Sequence, residues 1–217
     1  MTQAAVPVVV DAGAAPPVSA HEAPLVLEHP HTSTGLDSRK LLMWAFLASD
    51  CMFFGTLIAT YMVYKNRSID GPLPRGTFDV PYTSVSAFVL LLSSLTMVLA
   101  LASIQKGEER RMRVWLTATA LLGCVFLGGQ FYEFTSFYKD GLTLSSNLFG
   151  STFFTLTGFH GTHVFIGVFW LLSLVAQSVR GRLHREHSLW VEIAGLYWHF
   201  VDIVWILIFT LVYLIPD

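Results

Sequence analysis

The sequence predicts an all-α integral membrane protein, a bundle of five transmembrane helices preceded by a disordered N-terminal tail. Two observations carry this prediction. The 217 residues are 53% hydrophobic and only 13% charged, whereas charged residues make up about a quarter of a typical soluble domain. The charged residues also lie between long apolar runs, and this pattern excludes an ordinary soluble domain.

Residues 1–38 form the predicted tail. They mix alanine, valine, proline and histidine without a repeating apolar pattern. The first basic residue is Arg39, so the segment lacks the positive charge with which a cleavable signal peptide begins. We therefore expect a flexible cytoplasmic tail over residues 1–38 and a transmembrane domain over residues 39–217.

Five apolar runs are long enough to cross a membrane. A hydrocarbon core of about 30 Å requires about 20 helical residues per crossing. Open strands are excluded, because lipid cannot satisfy their backbone groups. In chain order, the predicted helical spans cover residues 41–64, 82–104, 112–137, 148–178 and 191–215.

The basic residues between the runs predict the orientation of the bundle. With the N-terminus in the cytoplasm, nine lysines and arginines lie inside and four lie outside, as the positive-inside rule expects. The inner set is Arg39, Lys40, Lys106, Arg110, Arg111, Arg113, Arg180, Arg182 and Arg185, and the outer set is Lys65, Arg67, Arg75 and Lys139. The C-terminus is then outside.

Ionisable residues inside the apolar runs are the first candidate functional residues. Such residues are rare in lipid and usually face a protein interior or an ion path. Asp50 lies near the middle of its run, which predicts a role in proton uptake or subunit contact; a structural carboxyl satisfied by a neighbouring helix is the alternative. Glu133 lies near the outer end of its run, where Gln130 could support it or where it could be an interfacial carboxylate.

The histidines of the fourth run form a second candidate site. His160 and His163 are three residues apart, which places both imidazoles on one helix face. We expect them to form hydrogen bonds to another helix. The glycines Gly158 and Gly161 are predicted to admit that helix at short distance.

The fifth run contains the third candidate site. His199 and Asp202 have the same three-residue spacing, which predicts a direct hydrogen bond or a shared proton. A haem or copper site is disfavoured, because no cysteine or methionine completes a soft ligand set with the histidines. Cys51 and Cys124 are expected to be small buried packing residues.

The segment between the fourth and fifth runs concentrates positive charge. Such a cluster attracts anionic lipid head groups, although charge that only sets the topology is the alternative. The candidate head-group residues are Arg180, Arg182, Arg185, His187 and Glu192.

Several of these stretches resemble subunit III of haem–copper oxidases of the cytochrome c oxidase type. The stretches are LFGSTFFTLTGFHGTHVFIGVFWL and EIAGLYWHFVDIVWILIFTLVYL, with support from LASDCMFFGTLIATYMVY, LLLSSLTMVLALAS and GQFYEF. The resemblance covers residues 39–216. Longer members have seven spans, so this chain is similar to a short five-span form. The family commonly has glutamate where this chain has Asp50, whereas the family's residues match at Glu133, His160, His163, Glu192, His199 and Asp202.

The resemblance implies an accessory subunit that carries no catalytic residue, metal or cofactor of its own. It implies direct contact with catalytic subunit I, which holds the haems and copper, reduces dioxygen to water and pumps protons, and membership of a complex that includes subunit II. It further implies bound structural phospholipids, support of proton uptake, no nucleic-acid partner and a place in the bacterial cytoplasmic membrane.

Three alternatives remain at this point. The chain could be an accessory subunit of a nitric oxide reductase or of a quinol oxidase. It could be a membrane cytochrome that binds haem through His160, His163 and His199. A transporter that uses Asp50 and Asp202 is disfavoured, because the sequence shows no inverted repeat.

Overall fold

The computed structural model describes residues 37–65, 80–139 and 141–215, and within these ranges every regular element is helical. Five long helices are apolar enough to cross a membrane, which confirms the predicted fold class. The predicted tail, apart from Asp37 and Ser38, and the segment 66–79 lie outside the described residues.

The helices follow the five predicted runs in chain order. They are α1 (Ser38–Tyr64), α2 (Val80–Gln105), α3 (Glu109–Lys139), α4 (Leu148–Val179) and α5 (Ser188–Phe209). A short 3-10 turn, Arg185–His187, precedes α5, and a π-helical turn, Thr210–Leu214, continues it. Helix α3 therefore begins three residues before the predicted limit, because its charged first turn remains helical.

Local sequence sets where these helices begin and end. Asp37 caps α1 by accepting the backbone N–H of Arg39 at 2.8 Å, and Asn147 caps α4 by accepting that of Gly150 at 2.7 Å. Gly107 and Gly181 follow α2 and α4 with φ of 80° and 67°. Glycine adopts this left-handed conformation without a Cβ penalty, so these two positions end their helices.

Helices α2, α3, α4 and α5 form a ring in which each packs against the next, and α5 closes the ring against α2. Helix α1 lies outside this ring, against the seam between α4 and α5. The elements that carry the predicted intramembrane acids and histidines therefore meet along two seams, one beneath α1 and one between α2 and α5.

The side chain of Trp198 fixes how α5 sits in the ring. It is fully buried, and its indole N–H donates to Ser93 Oγ of α2 at 2.9 Å. A Cβ added at Gly123 of α3 would lie 2.7 Å from the indole, and one at Gly167 of α4 would lie 2.9 Å from it. The two glycines therefore form a socket for one tryptophan.

The glycines predicted to admit a neighbouring helix do not do so. A Cβ added at Gly158 or Gly161 would meet no described atom within 4 Å, so that prediction is wrong. Cys51 and Cys124 are exposed rather than buried, so the prediction for the cysteines is wrong as well. In a membrane protein the outer surface is as apolar as the interior, and hydrophobic character therefore does not distinguish them.

Candidate functional site

Asp50 of α1 and His163 of α4 form an intramembrane pair beneath α1. Asp50 Oδ2 lies 3.4 Å from His163 Nε2, and both side chains are largely buried. His163 Nδ1 lies 2.7 Å from the carbonyl oxygen of Phe159. Since a carbonyl can only accept, Nδ1 must carry a proton. The approach of Asp50 Oδ2 to Nε2 is within ion-pair distance but is not a hydrogen bond, and Oδ2 has no hydrogen-bond partner among the described residues.

Tyr197 of α5 closes this seam. Its hydroxyl donates to the carbonyl oxygen of His163 at 3.0 Å. Its ring stacks on Phe46 of α1, with ring centroids 6.4 Å apart, and packs against Trp170 of α4. One side chain therefore links α5 to both helices that supply the Asp50–His163 pair.

His160 occupies an aromatic enclosure at the centre of the bundle. Its ring is fully buried and stacks on Trp205, with centroids 5.0 Å apart, while Phe126 and Phe54 present their edges at 6.1 and 6.5 Å. Neither ring nitrogen has a hydrogen-bond partner among the described residues. The predicted interhelical hydrogen bond is therefore wrong for His160 and is replaced by packing against rings from α1, α3 and α5.

His199 and Asp202 meet through a third residue rather than directly. The hydroxyl of Ser94, on α2, donates to Asp202 Oδ2 and lies 2.7 Å from His199 Nδ1. The described contacts include no direct bond between His199 and Asp202, so the predicted pair becomes a three-membered group. Ser94 thereby joins α2 to α5 at mid-membrane depth.

Glu133 is buried near the far end of α3. It accepts from the Thr83 hydroxyl of α2 at 2.7 Å, and Gln130 Nε2 lies 3.5 Å from its second oxygen. The hydroxyl of Tyr213, on the π-helical turn, interacts with the same carboxyl group. Glu133 is therefore a buried junction of three elements within the bundle, not a carboxylate exposed at its surface.

The head-group candidates divide into two sets. Arg180, Arg182 and Arg185 are exposed and His187 is half-buried, at the end of the bundle where α5 begins. Glu192 instead forms an ion pair with Lys40 of α1, which neutralises its charge. The exposed arginines remain available to anionic groups, whereas Glu192 holds two helices together.

A groove at this same end lies between α1, α4 and α5. It encloses about 570 Å³ and is lined by Arg39, Leu42, Met43, Phe46, Trp170, Trp190 and Ile193. The guanidinium of Arg39 lies over the Trp190 ring, 5.2 Å from its centroid. The groove thus combines one cation at its rim with an apolar, aromatic wall.

Outside the membrane-spanning segments, His184 links the α4–α5 connection to the start of α3. His184 Nδ1 lies 2.8 Å from Glu109 Oε1. The hydrogen bond and the negative charge of Glu109 raise the pKa of His184, with smaller contributions from the Gly181 carbonyl group and Glu186. The pair is exposed, so it adds a weak, pH-sensitive contact.

No group of three or more histidine, cysteine, aspartate or glutamate side chains comes together to hold a metal ion in the part of the chain that the structure describes. The deep ionisable residues are instead distributed over the two seams, the aromatic enclosure of His160 and the Glu133 junction.

Comparison with known proteins decides the family. The family described as cytochrome c oxidase subunit III matches residues 22–216. The chain belongs to this family. The resemblance stated from the sequence is thereby confirmed.

Individual subunit III relatives cover most of the chain. Quinol oxidase subunit 3 of Bacillus subtilis (strain 168) is 42% identical over 79% of this chain and 84% of its own length. Cytochrome c oxidase subunit 3 of Bacillus sp. (strain PS3) is 37% identical over 79% and 83%. Cytochrome bo(3) ubiquinol oxidase subunit 3 of Pseudomonas aeruginosa (strain PAO1) is 39% identical over 90% and 92%.

Subunit III family membership makes this chain a multi-pass membrane component of a multi-subunit oxidase. Sequence reasoning named Asp50, His163, His199 and Asp202, and the structure places them in two seams. It missed Ser94. The available signal for this residue was the pair of adjacent serines in the middle of a predicted span, since serine side chains can form hydrogen bonds between helices in membranes.

Proposed function

We propose that this chain is the accessory subunit of a proton-pumping haem–copper terminal oxidase, carrying no cofactor of its own. It contacts and stabilises catalytic subunit I within a complex that also includes subunit II, binds phospholipid and supports proton uptake. The haems and copper belong to partner subunits. The observation that carries this proposal is the Asp50–His163 pair, a buried carboxyl group facing an imidazole in a chain of the subunit III family.

The proton-uptake role rests on how the pair is built. The carbonyl oxygen of Phe159 holds the Nδ1 proton of His163, which leaves Nε2 facing Asp50 Oδ2 at 3.4 Å as the position for proton exchange. Helix α1 is also the helix outside the ring, and the pair therefore lies close to the lateral surface. A proton relay near a partner subunit needs such a position, whereas His160 is sealed among aromatic rings.

Phospholipid binding rests on the groove beside Arg39. The guanidinium suits a lipid phosphate, and the walls from Leu42, Phe46 and Trp170 suit acyl chains. The exposed Arg180, Arg182 and Arg185 lie at the same end of the bundle and extend its positive surface. This end is cytoplasmic in the proposed orientation, which follows the positive-inside rule and puts the chain in the bacterial cytoplasmic membrane.

The same accessory role suits a complex that oxidises either cytochrome c or a quinol. Relatives named for both donors match this chain at similar identity and over similar lengths. A quinol oxidase is the second candidate, because two of the relatives described above carry that name.

Asp50→Asn in the assembled oxidase tests the proton-uptake role. The amide keeps the shape of the side chain but cannot release a proton, so we expect slower proton uptake or faster inactivation during turnover. Time-resolved pH-indicator measurements and activity decay measure these two effects. Glu108→Gln is the matched control, since it makes the same chemical change at a carboxyl group whose side chain is 40% exposed and which forms an ion pair with Arg111.

The pH dependence and lifetime of the Asp50→Asn complex decide the outcome. If both equal those of the wild-type complex, Asp50 has no part in proton uptake. Purification through a tag on this chain tests the wider proposal. Haem and copper should accompany the chain in the intact complex, while a Soret band on the isolated chain that is lost in His160→Ala would favour the cytochrome alternative.

A further inference from the structure

The lateral face between α2 and α5 carries a polar group at membrane depth. On this face Ser94 of α2 lies between His199 and Asp202 of α5. Asp202 is buried, but Ser94 and His199 are only half-buried. The group therefore reaches the outside of the bundle, where a bilayer supplies only hydrocarbon.

The hydrogen bonds determine what His199 presents outward. With Asp202 ionised, Ser94 donates its single hydroxyl proton to that carboxylate, and the contact between Ser94 and His199 is then donated by Nδ1. A neutral imidazole has one N–H, and Nε2 is therefore an acceptor. Nε2 is not one of the fully buried polar atoms, and it forms no hydrogen bond with the described residues.

The surroundings of this acceptor are apolar and exposed. Leu91 and Val98, about one turn on either side of Ser94, are 42% and 51% exposed, and Ile203, one turn beyond His199, is 57% exposed. An unpaired acceptor facing hydrocarbon is costly. The same acceptor is favourable against another helix that offers a donor, because polar side chains join helices within membranes.

We propose that this α2–α5 face is the docking surface for a membrane span of another oxidase subunit, and that this span donates a hydrogen bond to His199 Nε2. The donor is a hydroxyl, amide or indole N–H group at mid-membrane depth. Asp202 and Ser94 hold the imidazole in the tautomer that accepts it. This inference rests on the proposed function, because the partner is taken from the oxidase complex.

A photoreactive benzophenone amino acid at Ile203 tests the surface in the intact complex. Val125, on the outward face of α3, is the matched control, because it is 61% exposed near the middle of its helix. We expect the probe at Ile203 to cross-link a different polypeptide of the complex and the probe at Val125 to label lipid alone. Leu91 provides a second probe position if the Ile203 variant does not accumulate.

Three results would overturn the docking surface. They are labelling of lipid alone from Ile203, a cross-link from Ile203 to a second copy of this chain, and the same protein cross-link from Val125. Haem in the same tag-purified sample separates the two proposals. If haem is present and Ile203 labels only lipid, the docking inference alone fails, whereas a chain that purifies without any haem-containing partner removes the proposed function.

The donor contact is tested by two substitutions at one position. His199→Phe keeps a planar aromatic ring but removes the acceptor, and it should weaken retention of the partner by about threefold in a detergent titration, the factor expected for one hydrogen bond within a membrane. His199→Gln retains an acceptor oxygen and should retain the partner. Equal retention, or equal loss, in the two variants would overturn the contact at Nε2.

Discussion

Helices α1 and α5 differ in how they are held. In the most apolar stretch of each span, 50% of the residues are buried for the segment that contains α5 and 22% for α1. Helix α5 is fixed by close packing, since Trp198 fills the socket formed by Gly123 and Gly167, and by polar contacts with α2. Helix α1 is held by polar contacts at three positions along its length. Lys40 pairs with Glu192, Asp50 faces His163, and Lys65 donates to the carbonyl oxygen of Ile215 at 2.8 Å.

The difference assigns separate tasks to the two helices. A helix held by close packing has one register and little freedom to move. A peripheral helix held at separate polar points can respond to changes in charge or in a partner without disturbing the ring. The Asp50–His163 pair lies in the second kind of contact, which fits its proposed role at the border with another subunit.

The largest expected effect comes from emptying the socket. Trp198→Ala removes a fully buried indole and its bond to Ser93, and we expect a loss of about 3 kcal/mol in the free energy of unfolding. Thermal unfolding of the purified complex measures it. Trp44→Ala on α1, whose side chain is 52% exposed, is the control and should cost far less. Equal losses would show that the two helices are held in the same way.

An intermediate effect is expected from breaking the polar seam of α1. His163→Phe leaves the Asp50 carboxyl group without its imidazole partner and should destabilise the complex by about 1–3 kcal/mol. Adding Asp50→Leu should recover most of this loss, because both polar partners are then replaced. Hydrogen exchange of the α1 backbone provides the measurement, and a double variant no better than His163→Phe would contradict the paired role.

The smallest expected effect concerns the exposed His184–Glu109 contact, which lies outside both seams. Glu109 raises the pKa of His184 above its usual 6.5. The stabilisation is therefore fully present below about pH 6.5 and is lost as the pH rises through the raised pKa. Unfolding measured between pH 5.5 and 8.5, about the range in which histidine titrates, should show this dependence, and His184→Gln should remove it. A slope that survives in His184→Gln would arise elsewhere.

The sequence was sufficient to predict where the helices lie along the chain, but not how each helix is rotated about its own axis. Long apolar runs and their charged ends predicted five spans, and α4 begins at Leu148 as expected. Which face of a helix is buried could not be predicted, because lipid-facing side chains are as apolar as those inside. This is why Gly158 was chosen in place of Gly167, and why Cys51 was assigned to the interior.

For the candidate site, too, the sequence predicted the residues but not the partners that they contact. Deep acids and imidazoles were identifiable because their cost in lipid demands a partner. Their partners were not identifiable from spacing along one helix, since the decisive residues lie on others. Ser94 joins His199 to Asp202 from α2, and Asp50 meets His163 from α1. Only the arrangement of the helices brings these groups together.

The socket around Trp198 also limits which movements the bundle can make. If α5 slid along its axis by one turn, about 5.4 Å, the indole would leave Gly123 and Gly167 and meet positions of α3 and α4 that carry side chains. Piston-like strokes of α5 are thereby blocked.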